Sequence, residues 1–303
     1  MTTPVMRLYP SEYRARHGHE IAEVYRQAID GAGRLATSRE AADLAAHALR
    51  MRLKCSSDRP AGRLLAAAAP FVVAVLAAHA GRELFELAAF LLDTRGDVPR
   101  PGAADMVFAG WWVALLAAAV VALGGRWPVG RWCLAVILTV GALLAATVGR
   151  GGVLGAPGAL VVFSVLSAVI LVGCPPDMAP GWRVRRMASG AAVAIWAPLA
   201  VLSVVWRTLF ADHVGIALPL LAESNMWPCL ILAISACAFA RGGGSARPAL
   251  AAMVTAALPV VAYDAAVPGY HPAQAAVPAI SFLLTAAVLF ARSAPDRASS
   301  QQG

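Results

Sequence analysis

Apolar residues in this chain come in long unbroken runs rather than alternating with polar ones. Leu64–Ala80 reads LLAAAAPFVVAVLAAHA, seventeen residues without a formal charge. Seven further runs follow: Met106–Gly124, Trp132–Gly149, Ala159–Cys174, Met187–Trp206, Ala222–Ala240, Ala249–Ala262 and Ala273–Ala291. A helix rises ~1.5 Å per residue, so ~20 mainly apolar residues cross the ~30 Å hydrocarbon core of a bilayer. The pattern predicts eight transmembrane helices, with seven or nine as the neighbouring counts. The shorter runs need flanking Trp and Arg side chains that snorkel to the interface. Ala249–Ala262 is the weakest of them, because it holds Pro259 and runs straight into Tyr263 and Asp264. A transmembrane strand would alternate with period two, and none of these segments does.

The first 60 residues follow a different pattern. Pro10 suits the first turn of a helix, and Ile21, Val24, Tyr25, Ala28 and Ile29 then recur at helical spacing. Gly31-Ala32-Gly33 stops that helix. Thr37-Ser38-Arg39-Glu40 has the form of a capping box, a hydroxyl three residues ahead of a carboxylate. Leu44, Ala45, Ala48, Leu49 and Leu53 line one face of the helix after it. The expectation is a cytoplasmic helical hairpin over 1–60, a transmembrane domain over 61–291 and a disordered tail over 292–303. The Arg- and Glu-rich start has no signal-peptide pattern.

Composition supports the membrane reading: 59% of residues are hydrophobic and 14% charged, with a mean hydropathy of +0.67. A soluble domain of this size carries more charge to cover its core. Charge placement gives the orientation. With the N-terminus inside, 20 of the 25 Lys and Arg fall in inner segments, and Arg82, Arg95, Arg100, Arg150 and Arg207 fall outside. Both termini are therefore expected in the cytoplasm and the bundle in the plasma membrane. The five cysteines form no C-x-x-C pair, so packing rather than a disulfide framework or zinc is expected of them.

Ionisable groups inside a membrane are costly and are the first place to look for function. Glu223, followed by Ser224, Asn225 and Trp227 and bracketed by Pro219 and Pro228, is the foremost candidate. It either lines a polar cavity at a broken helix or marks the outer mouth of the sixth span, and the length of the following run favours the mouth. Arg207 and Asp264 map to the same side, as do His79, Asp212, His213 and His271. No His-x-x-x-His spacing joins them, and loop ends collect such residues anyway. The outer segment that begins GRELFELAAFLL is either an interfacial helix or a prolongation of the first span. No P-loop, G-x-S-x-G, H-E-x-x-H or nucleic-acid motif occurs, so neither catalysis, a cofactor nor nucleic acid is expected. Anionic inner-leaflet lipid is the simpler partner for the basic head and for Arg183-Val184-Arg185-Arg186.

Arg7-Leu8-Tyr9-Pro10, Tyr13-Arg14-Ala15-Arg16 and Gly18-His19-Glu20-Ile21 together resemble a short N-terminal module of actinobacterial multi-pass membrane proteins. The segment is similar to the prefixes ahead of some ABC-type permeases and to the helical module of membrane proteins paired with PadR-type regulators. The resemblance covers about residues 7–55, and His17 departs from it where an aromatic is usual. It implies docking to an ABC-type ATPase or a PadR-type regulator system. The overall expectation is an all-α integral membrane helix bundle that acts as a non-enzymatic accessory or regulatory component. The alternative is a small permease or exporter domain for an apolar solute, alone or with a separate ATPase.

Overall fold

The computed structural model describes residues 7–91, 102–148, 157–209, 226–243, 245–266 and 272–293. The protein is helical throughout these residues. Two helices lie ahead of the apolar runs, α1 (Ser11–Ile29) and α2 (Arg34–Arg52). Then come α3 (Pro60–Leu91), α4 (Ala103–Leu123), α5 (Trp127–Val148), α6 (Pro157–Gly173) and α7 (Trp182–Leu209). The last three are α8 (Met226–Arg241), α9 (Ala246–Ala266) and α10 (Pro272–Ser293).

Among the described residues, four helices are long and apolar enough to cross a membrane, over Pro60–Ala89, Asp105–Leu123, Trp127–Thr147 and Ala246–Ala266. The chain is thus a membrane-embedded helical bundle. The apolar parts of α6, α8 and α10 are shorter. In α7 the first turn carries Arg183, Arg185 and Arg186 ahead of its apolar stretch. The run ranked weakest from sequence lies in one of the four. Pro259 sits buried inside α9 on a stripe with Ala249, Ala252, Met253, Ala256, Ala257 and Val260. Neighbouring helices cover the backbone a proline interrupts, so a membrane bundle tolerates it.

The core is organised around α3. Every residue from Ala68 to Leu76 is buried, which only a helix apolar on all sides permits. Helices α4, α6, α7 and α9 pack directly on it. Around that inner ring, α5 lies against α4 and α6, and α8 and α10 lie against α9. Small residues set the close approaches. The indole of Trp111 lies over Gly141, where a Cβ would overlap the ring, and its Nε1 donates to the Ile137 carbonyl at 2.7 Å. Gly141-x-x-x-Ala145, which Ala-rich composition alone would produce by chance, is therefore the seat of a tryptophan.

Local signals at the start of the chain hold in part. Pro10 caps α1, and Gly31 takes φ +69° after its end. The capping box does not form where Thr37 predicts it: α2 begins a turn earlier, at Arg34, with extended Gly33 as its cap. Thr37 is then inside the first turns and its hydroxyl donates back to the Gly33 carbonyl at 3.3 Å, as Ser and Thr do within helices. At its other end α2 closes with Lys54 in the left-handed region (φ 54°), while the Cys55 N–H donates to the Arg50 carbonyl at 2.9 Å. That six-to-one bond is a Schellman ending, usually built on Gly.

Candidate functional site

The helix that forms the core also carries a dense group of ionisable residues within the bundle. His79, Arg82, Glu83 and Glu86 are spaced three and four apart, so they share one face of α3. The segment from Gly81 onward does not peel away as a separate interfacial helix, since α3 runs unbroken for 32 residues. At ~1.5 Å per residue that is about 48 Å, against ~30 Å of hydrocarbon. The charged face lies where α3 outruns its own apolar centre.

Within this group Arg82 Nε donates to Glu86 Oε1 at 2.7 Å, and His79 Nε2 stands 3.9 Å from Glu83 Oε1. The side chains of His79, Arg82, Glu83 and Glu86 are only 11%, 18%, 20% and 29% exposed. The His79 ring is enclosed by aromatics from three other helices: Trp112 of α4 and Phe163 of α6, each at 5.2 Å, and Tyr263 of α9 at 5.6 Å. Trp196 of α7 meets Phe85 edge-on and fills the space a side chain on Gly81 would need. Tyr263 is within Coulombic reach of Glu83, Arg82, Asp264 and Glu86, and Asp264 is in turn within reach of Cys229 in α8. Six helices thus converge on one end of the bundle. Three carboxylates, one guanidinium, an imidazole and a phenol lie together there, a set suited to holding a proton or attracting a cation. Among the described residues no three His, Cys, Asp or Glu are placed to ligate a metal.

Of the residues singled out from sequence, Asp264 belongs to this group, in the last turn of α9. His79, set aside as a loop-end residue, is brought to it through Tyr263. Arg207 lies on α7, but its side chain is outside the described residues, as are Glu223 and Asn225 and also Asp212, His213 and His271. Arg82, Glu83 and Glu86 are not among the sequence-derived candidates, since both readings of their segment, interfacial helix or prolonged first span, are structural. The signal that finds them is the unbroken helical register from Leu64 through Leu91, which puts them under His79.

A second polar feature joins α1 and α2. Tyr9 is 1% exposed, its hydroxyl lies 2.8 Å from His47 Nδ1, and its ring stacks on Tyr13 at 5.6 Å. Burial and then Tyr13 push the Tyr9 hydroxyl up to about 12. Burial, helped by Arg50, pushes the His47 imidazole down. Tyr9 and Tyr13 are thus a packing contact, as their place at a helix start predicts. By contrast α1 has no buried residue, and its Val24 is 61% exposed.

No family model matches the chain, and no curated protein or solved structure is significantly similar to it.

Proposed function

We propose that the protein is an eight-span component of the plasma membrane, with both termini in the cytoplasm, that acts by association and not by catalysis. In this reading α1 and α2 form a cytoplasmic hairpin that receives an ABC-type ATPase or a PadR-type regulator. The observation that carries it is α1 itself, amphipathic and held to α2 through Tyr9, yet with none of its own residues buried. Tyr13, Ile21 and Ala22 pack partly buried against Tyr9 and Ala48, while Val24 and Ala28 stay exposed, and an open apolar edge of that kind is what a helix-in-groove partner takes up. The bias of Lys and Arg towards the predicted inner loops supports the orientation.

The test is purification from native membranes in mild detergent, comparing the full chain with one lacking residues 1–55. A soluble ATPase or regulator that co-purifies only when the head is present supports the reading. A protein that emerges alone in both forms sinks it.

A small permease or exporter for an apolar solute, alone or with a separate ATPase, is the second reading, with the ionisable group on α3 as a proton-holding site that would drive it. Glu83→Gln then abolishes solute movement in proteoliposomes while leaving the bundle folded. Unchanged flux in that variant removes this reading.

A further inference from the structure

At the end of the bundle away from His79, two arginines are buried within Coulombic reach of one another. Arg50 closes α2 and is 7% exposed, and Arg131 lies one turn into α5 and is 4% exposed. Arg131 lies within Coulombic reach of Arg50, and α2 packs on α6, whose end Arg131 holds. Arg131 Nη1 donates to the carbonyl of Cys174, just past α6, at 2.7 Å. Arg50 Nη1 is buried and makes no hydrogen bond at all. Asp43 and Asp177 are within Coulombic reach of Arg50. Both are exposed, and neither comes within the 4.0 Å of an ion pair. Water and salt screen their field.

This arrangement is costly as it stands. A buried charge without a close counter-charge and a buried donor left unmade both disfavour the fold. The cost falls on residues brought together from α2 and α5, with the Schellman ending of α2 fixing the Arg50 backbone. A guanidinium fork offers several coplanar N–H groups, and two guanidinia within reach of one another suit a tetrahedral oxyanion with several acceptor oxygens. The surroundings are those of a membrane interface. The Arg131 guanidinium lies 5.7 Å over the Trp132 ring, and at the head of α7 Arg186 lies 4.8 Å over Trp182. Tryptophan with arginine at helix ends marks headgroup depth.

We infer that Arg50 and Arg131 form a binding site for a phosphate oxyanion, a lipid phosphate or free inorganic phosphate, that bridges α2 to the transmembrane bundle. Its occupant completes the hydrogen bonding of Arg50 and ties the head of the chain to the spans. The site is distinct from the α1 face and does not depend on what that face receives.

The experiment uses the full chain in mild detergent, with melting temperature and native mass spectrometry as readouts. One arm adds phosphatidic acid against phosphatidylcholine. The other adds inorganic phosphate against chloride at matched ionic strength. One retained phosphatidic acid per chain, with a raised melting temperature, identifies a lipid phosphate. Stabilisation by inorganic phosphate without lipid retention identifies the free ion. In either case Arg50→Gln and Arg131→Gln weaken binding at least tenfold, and exposed Arg183→Gln does not. If the wild-type chain distinguishes neither phosphatidic acid from phosphatidylcholine nor phosphate from chloride, the site does not exist. That readout needs no variant to fold. Equal loss in Arg183→Gln overturns the proposal too, since it reduces the effect to general surface charge.

Discussion

The indole N–H of Trp111 and the main-chain carbonyl of Ile137 are bonded across α4 and α5 at 2.7 Å. Ile137 is four residues before Gly141, so the indole adds a second donor to a carbonyl of the ordinary helical ladder. It reaches that carbonyl because Gly141 has no Cβ in the way. Gly141→Ala is expected to displace the ring and destabilise the bundle by about 1–3 kcal/mol, the usual cost of overpacking. Gly110, on the same helix as Trp111, has open space around its missing Cβ. Gly110→Ala is therefore expected to be neutral or slightly stabilising, and thermal melts of the two variants in one detergent make the comparison.

Arg82 holds two neighbouring carboxylates, Glu86 by contact and Glu83 by field. Arg82→Met removes the guanidinium from both and is expected to cost about 1–3 kcal/mol. That is less than the ~3–5 kcal/mol of a fully buried pair, because these side chains keep 18–29% of their exposure. The double change Arg82→Met with Glu86→Met is expected to recover part of the loss. A double-mutant cycle on melting temperature reads the coupling, and strictly additive effects would show that the pair is idle.

The Tyr9–His47 contact makes the docking of α1 on α2 dependent on pH from both sides. Burial pushes His47 down, so the folded state disfavours its proton. Stability from this group is full above the unfolded value of ~6.5 and is lost as pH falls below it. Tyr9 is pushed up to about 12, so its contribution is full below the unfolded ~10 and is lost as pH rises through 12. Hydrogen exchange of α1 and α2 should show a protected plateau between these limbs. His47→Gln should remove the acid limb alone, and Tyr9→Phe the alkaline one.

Val24 stands out from α1, uncovered by any described neighbour. Val24→Asp is expected to change the melting temperature by less than about 0.5 kcal/mol equivalent, as surface changes do. It should nonetheless abolish co-purification of the partner that residues 1–55 recruit. Partner retention at the wild-type level would move the docking face elsewhere on the head.

How much of this was legible in the sequence depends on the length scale of the signal. Uncharged runs such as Leu64–Ala80 reveal helices directly, because only a helix satisfies its own backbone in lipid. Helix ends were less legible. Thr37 and Glu40 have the right spacing for a cap, but Gly33 starts the helix first. The ionisable group was the least legible part. His79 and Asp264 are far apart in the chain, and what joins them is an aromatic cage built from α4, α6 and α9. No local pattern announces a contact of that kind. The same holds for Arg50 and Arg131, each an ordinary basic residue near a helix end until the helices pack.

The unbroken course of α3 also bears on how the protein is made. This helix precedes in the chain every helix that later covers it, so it enters the bilayer before its neighbours exist. Arg82 and Glu86 sit one turn apart on that same helix, bonded at 2.7 Å. That pairing needs nothing beyond the nascent segment. The newly inserted rod carries part of its charge already neutralised, and the ribosome can deliver α4, α6, α7 and α9 afterwards to wrap it.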